Sequence, residues 1–557
     1  MEKELIISKI NELMEVVKKY DESQSLLKKG NALISEIQNY KIRVLFVGGF
    51  SAGKSALLNA LLDREVDLLE EDQIPETAIA SELVYDEKEF VELIKDKNST
   101  VCMLDEVEHQ KSEKYDFYRY HLNNPFLKKH TNFVFVDIPG FNSGVEKHDK
   151  AISRYVAQGN AYVLVIDCED GELKSTSIDF IKEIRQYENN LAIAVSKTDK
   201  KIESDVEKIR NKIEITAGKT FRTDVKVIAT SKFSDDVDPK IDSLIETFDS
   251  QDIFEQRFFP EFESISLLSL SQINSFKASE EFDDADLKEE IARRKKAKTE
   301  LSDRMQKEKY KLSQKIKNDI KPRIVEDIED ALYAKTSSLA SSLVSGKEIF
   351  SRKINQVIRP VLISSLNKNL ETGFEEFVEE IDLSNKDFSS VKSGDFTKGV
   401  DLLSKTLKPL TTKLNSSGVL YKAVAGTIAI TTSIVAPLVE VVILFLPELL
   451  NMLGLTGEKR QQAKAEEKVK NEIIPQVIER IEEEIQKPLD ELEEEMMSEL
   501  EARFGAQLDA ETEALEQAEK MREDRKAEYQ KMIQEINQDI SAVESLKLEK
   551  AGEKVEG

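Results

Sequence analysis

The sequence is poor in cysteine, since its 557 residues include only Cys102 and Cys168. Both lie in or beside apolar runs, so we expect two buried thiols in a protein of a reducing compartment. Histidine is also scarce, and no spacing typical of a metal site links His109, His121, His130 and His148. An excess of basic residues is missing too, because the formal net charge is −27. This balance argues against nucleic acid as a partner, since nucleic-acid binders normally carry a basic footprint.

A hydrophobic run long enough to span a bilayer is absent as well. The stretch from Ala423 to Val439 has 17 residues without a charge, whereas a membrane-spanning helix takes about 20. The first residues are acidic and lack a signal-peptide pattern, which predicts a cytoplasmic location. The length predicts about three or four folding units.

What the sequence does contain is a glycine-rich turn between an apolar run, residues 42–47, and a run of helix formers, residues 56–62. The turn reads Gly48-Gly49-Phe50-Ser51-Ala52-Gly53-Lys54-Ser55. Strand, turn and helix follow one another with the spacing of a phosphate-binding loop, whose backbone N–H groups and helix N-terminus hold phosphates. We expect Lys54 to reach the β- and γ-phosphates and the Ser55 hydroxyl to bind Mg²⁺.

Residues 41–250 alternate apolar strands with helical stretches. The runs at 161–166 and 191–195 carry no charge, which suits a parallel sheet that is covered on both faces. The alternation predicts a doubly wound, mostly parallel α/β domain that binds its ligand at the C-terminal ends of the strands. Strands are predicted at 42–48, 80–86, 99–104, 132–137, 161–167, 191–196 and 225–229.

Two elements are placed to sense the γ-phosphate and its metal ion. Asp137-Ile138-Pro139-Gly140 follows a predicted strand, so that Asp137 can hold Mg²⁺ and the Gly140 N–H can approach the γ-phosphate. Thr77 lies in a loop ahead of the second predicted strand. It is a candidate switch residue that closes onto Mg²⁺ and the γ-phosphate. The predicted metal ligands are therefore Ser55, Thr77 and Asp137.

Two further strand ends are placed to hold the base. In Ser196-Lys197-Thr198-Asp199, the Asp199 carboxylate can accept from the ring and exocyclic N–H groups of guanine, a pair that adenine does not present. The Lys197 stem can lie along the base. Ser231 and Lys232 follow the last predicted strand and can supply backbone contacts to the base. The order of these elements favours a guanine nucleotide.

Residues 50–55, Thr77, residues 137–140 and residues 196–199 together resemble the GTPase domain of bacterial dynamin-like proteins. The resemblance implies a large GTPase that binds GTP and GDP weakly and hydrolyses GTP when two G domains meet, hence self-association. It places Ser51 near the attacking water, which makes Ser51, Lys54 and Thr77 the expected catalytic residues. The 83-residue step from Lys54 to Asp137 suits the enlarged domain of that family.

The sequence departs from related patterns at two positions. Phe50 stands where eukaryotic dynamins carry glutamine, and Phe141 follows Gly140 where Ras-like proteins keep the glutamine that orients water. The motif residues therefore offer no obvious side chain for positioning water, which predicts slow basal turnover.

The rest of the chain reads as helical. Amphipathic stripes predict two helices within residues 1–40, and Pro322, Pro475 and Pro488 are expected to kink long charged helices further on. The basic cluster Arg293-Arg294-Lys295-Lys296 reads as a solvated helix face rather than a lipid contact. Five segments are predicted: N-terminal neck helices 1–40, a GTPase domain 41–250, neck and stalk helices 251–400, an apolar hairpin 401–460, and a returning stalk helix with a disordered tail 461–557.

The apolar hairpin is the predicted membrane contact, centred on residues 418–455. Lysines precede it and Lys459 and Arg460 follow it, and a positive charge near an anionic membrane contributes about 1 kcal/mol. In bacterial dynamin-like proteins the corresponding region is a membrane-binding paddle, which implies peripheral association with an inner leaflet. A buried pair of core helices is the alternative interpretation.

These patterns predict an α/β G domain on an all-α helical stalk with an apolar tip. The predicted function is GTP hydrolysis with Mg²⁺, coupled to self-association and to membrane binding or remodelling. Three alternatives stay open: a stalked GTP-switch scaffold without membrane remodelling, a P-loop ATPase with coiled-coil arms, and a pore-forming protein that inserts residues 418–455. The last is the least favoured, because it leaves the nucleotide site unexplained.

Overall fold

The computed structural model describes residues 2–49, 51–70, 79–95, 98–107, 114–140, 159–174, 177–178, 190–221, 224–346 and 458–546, and short pieces between 349 and 369. Phe50, Thr77 and Phe141 lie outside the described residues, and so does the apolar stretch 418–455. Within the described part of the chain, no helix is both long enough and apolar enough to cross a membrane.

In the described part of the chain, nine strands form one sheet in the order β4-β3-β5-β2-β6-β1-β7-β8-β9. Their bounds are β1 Ile42–Gly48, β2 Ala80–Tyr85, β3 Phe90–Lys95, β4 Asn98–Cys102, β5 Phe117–Leu122, β6 Phe133–Asp137, β7 Ala161–Asp167, β8 Leu191–Ser196 and β9 Val227–Ala229. Neighbouring strands in the series β6-β1-β7-β8-β9 pair in parallel. Strand β2 runs antiparallel to β6, and β3 runs antiparallel to β4 and β5. The predicted mostly parallel sheet is confirmed.

Strand β1 lies inside the parallel half, between β6 and β7, and is buried on both faces. Val44 and Phe46 pack into the core on one face, while Leu45 and Val47 pack into the core on the other. This is why residues 44–47 are apolar in succession rather than alternating with polar residues. The same burial fixes where β1 ends, and therefore where the glycine-rich turn begins.

Strands β3 and β5 were not predicted from the sequence, and the strand predicted at 99–104 ends at Cys102. Both missed strands mix charged and apolar residues, which hid them. The charges pair across the sheet: Arg119 Nε on β5 lies 2.7 Å from Glu82 Oε2 on β2, and Arg119 Nη1 lies 3.3 Å from Glu92 Oε2 on β3. Such cross-strand ion pairs let charged residues occupy a sheet face.

Fourteen α-helices are described along the chain. Those before and within the sheet domain are α1 Glu2–Val17, α2 Ser25–Asn39, α3 Lys54–Leu62, α4 Pro125–Lys129, α5 Glu203–Phe221 and α6 Val237–Ile245. Those that follow are α7 Ser250–Ala278, α8 Asp284–Lys315, α9 Lys321–Ala334, α10 Thr336–Ser345, α11 Glu458–Lys468, α12 Ile474–Glu484, α13 Gln486–Asp524 and α14 Lys526–Ser545.

Helices from both ends of the sequence form one bundle, which we call the neck: α1, α2, α7, the end of α13, and α14. Tyr20, Phe258 and Met532 belong to its shared apolar core. The Tyr20 hydroxyl donates to Asp539 Oδ2 at 2.7 Å, which ties α14 to the N-terminal helices. Because α2 leads through Tyr40 and Lys41 into β1, the neck is joined directly to the strand that carries the glycine-rich turn.

Helices α8 to α13 form the stalk, in which helices from before and after residues 347–457 pack in pairs. Helix α8 packs on α13, α9 on α12, and α10 on α11. π-helical segments at Ile316–Ile320 and Val469–Ile473 end just before Pro322 and Pro475. A proline has no N–H to donate to the preceding turn, so the hydrogen-bond ladder shifts at these points.

The interpretation of residues 293–296 as a solvated face is wrong for Arg294, whose side chain is buried between α8 and α13. Its Nη1 lies 2.8 Å from Glu511 Oε2 and its Nε lies 3.1 Å from Glu290 Oε1. Lys295 pairs with Glu516 at 2.5 Å. The basic cluster therefore joins α8 to α13, and charge counting along the sequence had no means of finding its acidic partners.

Candidate nucleotide-binding site

The glycine-rich turn links the end of β1 to the start of α3. Ser51 and Gly53 both have left-handed backbone conformations, with φ of 57° and 92°. The Ala52 N–H donates to the Gly49 carbonyl at 3.1 Å, which closes the turn. Consecutive backbone N–H groups in such a turn, together with the start of a helix, form a concave site for an anion.

Gly48 is required because β1 and β7 approach closely at the mouth of this turn. A Cβ atom at Gly48 would lie 2.5 Å from the Val165 carbonyl oxygen, a backbone atom that cannot move aside. We expect Gly48→Ala to lower the free energy of unfolding by about 1–3 kcal/mol, as overpacking does. Urea unfolding of the purified protein measures this.

Gly505 provides the matched control for that substitution. It lies inside helix α13, and a Cβ atom there would meet nothing within 4 Å. Gly505→Ala should therefore stabilise the protein by up to about 1 kcal/mol, because alanine has the higher helix propensity. Equal effects of the two substitutions would show that the β1–β7 contact does not set the requirement for glycine.

Lys54 is buried at the first position of α3, with only 6% of its surface exposed. Its Nζ donates to the Gly49 carbonyl at 3.3 Å, so the ammonium group lies over the turn. Burial lowers the pKa of Lys54, and the nearby Asp137 carboxylate opposes that shift. A buried cation over a ring of backbone N–H groups is the arrangement that a polyphosphate would satisfy.

Ser55 and Asp137 come together although 82 residues separate them in the sequence. The Ser55 hydroxyl donates to Asp137 Oδ2 at 2.6 Å. Asp137 is 2% exposed, and its Oδ1 has no hydrogen-bond partner among the described residues. Burial raises the pKa of Asp137, while Lys54 and the Ser55 hydrogen bond lower it. An orphaned buried carboxylate oxygen beside a hydroxyl fits a hard oxygen-seeking cation such as Mg²⁺.

Lys197 ties the end of β8 to the same turn. Its Nζ donates to the Ser51 carbonyl at 2.6 Å and pairs with Asp167 Oδ2 at 2.8 Å. The Ser196 hydroxyl donates to the Ala52 carbonyl at 2.5 Å. Lys197, the lysine predicted to lie along the base, therefore reaches from the end of β8 to the phosphate-binding turn.

The base-selecting residues lie on two adjacent loops. Asp199 is exposed in a short 3₁₀ turn, and no described residue hydrogen-bonds its carboxylate. The Thr198 N–H donates to the Thr230 carbonyl at 3.4 Å, which sets the loop that carries Ser231 and Lys232 beside it. Ser231 is buried and Lys232 is exposed. Gly140 is buried, three residues beyond Asp137.

Two residues that support this site were missed from the sequence. Asp167 at the end of β7 holds Lys197. Burial alone would raise the pKa of Asp167, but hydrogen bonds from Lys197 and from the Glu169 N–H, with the positive charges of Lys197 and Lys200, lower it overall. The Cys168 thiol donates to the Lys197 carbonyl at 2.9 Å. Asp167 directly follows the charge-free run 161–166, so its place at a strand end was the available signal.

Residues 44–199 match the family model described as the Dynamin family. The matched range begins within β1 and includes the glycine-rich turn, Asp137 and Asp199. No curated protein matches the chain significantly.

Solved structures resemble the chain more loosely. One is described as an oligomerised bacterial dynamin pair that provides a mechanism for the long-range sensing and tethering of membranes. It has 15% identity and a TM-score of 0.38, and the match covers 98% of this chain and 81% of that one. Era from Aquifex aeolicus bound to GDP and AlF₄⁻ has 12% identity and a TM-score of 0.25, with 42% and 67% covered.

Proposed function

We propose that this chain, a dynamin-like GTPase, couples Mg²⁺-dependent GTP hydrolysis to self-association and to binding at a membrane surface. The observation that carries the proposal is the convergence of Lys54, Ser55 and Asp137 in one buried site at the C-terminal ends of β1 and β6. Those three side chains, on a turn of inward-facing N–H groups, match the needs of a nucleoside triphosphate with its metal ion.

The residues divide the work on the phosphates. The backbone of the turn and the Lys54 ammonium bind the β- and γ-phosphates and stabilise the charge that develops as water attacks. Ser55 and Asp137 would hold Mg²⁺, which supplies further neutralisation of the phosphate oxygens. Ser51 lies on the turn where the resemblance places it near the water. Thr77 stays a predicted switch residue.

The base is held at the other end of the site. The Lys197 stem, fixed by Asp167 and the Ser51 carbonyl, forms one wall, and the exposed Asp199 carboxylate is free to accept from guanine. Ser231 and Lys232 lie on the adjoining loop. This arrangement supports guanine over adenine, because guanine alone offers two neighbouring N–H donors.

Self-association and membrane contact extend the proposal to the whole chain. The neck connects to the site through α2 and β1, so a change in the G domain has a continuous helical path toward the stalk. Residues 418–455, which lie in sequence between the stalk helices α10 and α11, are the proposed contact with an anionic inner leaflet. The protein would then be cytoplasmic and peripherally associated.

A liposome co-sedimentation assay tests the membrane contact. Ile434→Glu, in the charge-free stretch, should reduce binding to vesicles that contain anionic lipid by at least about ten-fold, because an apolar side chain in the bilayer is replaced by a charge. The matched control is Ile215→Glu, since Ile215 is 57% exposed on α5 in the G domain. If wild type and Ile434→Glu sediment alike, the paddle is misassigned and the pair of buried core helices is favoured.

A further inference from the structure

A cavity of about 670 Å³ lies between the neck and the sheet. Helix α2 forms one wall, from Ala32 to Asn39, and the other wall is the sheet face that carries Arg43, Val84 and Arg119. Arg43 is the second residue of β1 and Gly48 is the last, so about 16 Å of strand separates this cleft from the phosphate-binding turn. The cleft is therefore distinct from the nucleotide site.

Two arginines of the cleft are held in place from beneath. Glu82 is fully buried and accepts from Arg43 Nε at 3.2 Å and from Arg119 Nε at 2.7 Å. A carboxylate that grips both guanidinium groups by their Nε atoms leaves their outer ends directed away from it. Arg43 makes no hydrogen bond through its terminal nitrogens to any described residue, so that donor set is unused.

Lys41 is a third cation of the cleft and, unlike the two arginines, it has no acidic partner among the described residues. It is half-buried, and in the described part of the chain its ammonium group has no hydrogen bond or ion pair. Burial, followed by repulsion from Arg119, lowers the pKa of Lys41, with Asp86 opposing. Lys3, which donates to the Tyr40 carbonyl, has its pKa lowered by burial and by Lys41. Half-buried cations that repel one another favour an anion between them.

The acidic groups around the cleft are already engaged. Asp86 lies 3.2 Å from His121 Nδ1, and Glu92 lies 3.3 Å from both His121 Nε2 and Arg119 Nη1. Glu36, the one acidic residue among the described residues of the lining, pairs with Arg257. The surface that faces the cavity is consequently rich in donors and poor in free acceptors.

We propose that this cleft binds a phosphate-bearing anion, with Lys41 and the terminal nitrogens of Arg43 as its ligands and the positive charge of Arg119 beside them. Guanidinium groups match phosphate oxygens in pairs, and lysine adds a point charge. Ser35, Asn39 and Tyr40 supply further polar groups from the neck side. The volume admits more than inorganic phosphate and suits an organic phosphate or a lipid headgroup. Because the walls come from both neck and sheet, the bound anion bridges the two.

Calorimetry with inorganic pyrophosphate tests the proposal. The protein is first saturated with Mg²⁺ and GDP, so that the phosphate-binding turn is filled. Wild type should bind pyrophosphate, and Lys41→Gln should bind it about ten-fold more weakly, because one charge-assisted contact is lost. Lys208→Gln is the matched control, since Lys208 has a 77% exposed side chain on α5, and it should bind as wild type does.

Arg43→Gln should weaken binding in the same way, while Arg119 continues to hold Glu82. Melting curves establish that each variant is folded, and Lys41→Gln breaks no described contact. A second arm uses vesicles that contain phosphatidic acid, with both proteins carrying Ile434→Glu so that residues 418–455 do not hold them on the vesicles. Sedimentation of Ile434→Glu, but not of Ile434→Glu combined with Lys41→Gln, would identify a lipid headgroup as the source, and calorimetric binding alone would identify a free phosphate compound. If Lys41→Gln changes the binding of neither probe, or neither probe binds the protein that keeps Lys41, the proposal is wrong.

Discussion

Replacing Lys54 with alanine will lower the rate of GTP hydrolysis at saturating nucleotide by at least about 10²–10³-fold, which is the usual cost of removing one preorganised charge-stabilising donor. The reason is the position of its ammonium group, 3.3 Å from the Gly49 carbonyl over the phosphate-binding turn. No other cation among the described residues occupies that position. Phosphate release measured with wild type and variant checks the expectation.

The same substitution should leave the fold intact. Lys54 is buried and its pKa is lowered, mainly by burial. A lysine whose pKa is lower in the folded than in the unfolded state destabilises the fold at neutral pH, and that cost fades only as the pH rises through the folded pKa. Removing the charge therefore carries no large penalty, and the melting temperature should stay close to that of wild type.

Lys208→Ala is the control, because it removes an exposed lysine from α5. It should retain wild-type turnover. Turnover by Lys54→Ala within a few-fold of wild type, in a sample that melts normally, would contradict the assignment of the phosphate-binding site. A variant that loses both activity and its melting transition would instead show that Lys54 stabilises the fold.

The parallel half of the sheet was predictable because strands buried on both faces appear in the sequence as uninterrupted apolar runs. Residues 161–166 and 191–195 have no charge, and both became central strands. Strands β3 and β5 left no such mark, since their charged residues face partners on neighbouring strands. Their pairing depends on register between strands, which no local pattern contains.

The nucleotide site shows the same division. Lys54 and Ser55 follow from local spacing alone, and residues 44–199, which contain both, match the family model described as the Dynamin family. Asp137 needed the further inference that parallel strands end at a common edge. The contact of Lys197 with Asp167, and the cleft that joins Lys41 to Arg119, arise only from tertiary packing. In both places, residues far apart in sequence come into contact, and no sequence motif predicts the contact.

The choice of base gives the second large expected effect. Asp199→Asn should shift the preference for GTP over xanthosine triphosphate by at least about 100-fold toward the xanthine nucleotide, as sites built around a hydrogen-bonding pair discriminate strongly. A carboxylate accepts from both N–H groups of guanine. An asparagine amide accepts one hydrogen bond and donates another, which matches xanthine, where a carbonyl replaces the exocyclic amine. Competition between the two triphosphates during turnover measures the shift.

Asp199 suits this test because its carboxylate is exposed and no described residue hydrogen-bonds it, so the substitution disturbs no internal contact. Asp205→Asn is the control, since Asp205 is a half-exposed carboxylate on α5 that pairs with Lys208. It should leave the preference unchanged. If Asp199→Asn also keeps the wild-type preference for GTP, then the loop that follows β8 does not select the base. Lys197 would in that case hold only the phosphate-binding turn, through the Ser51 carbonyl.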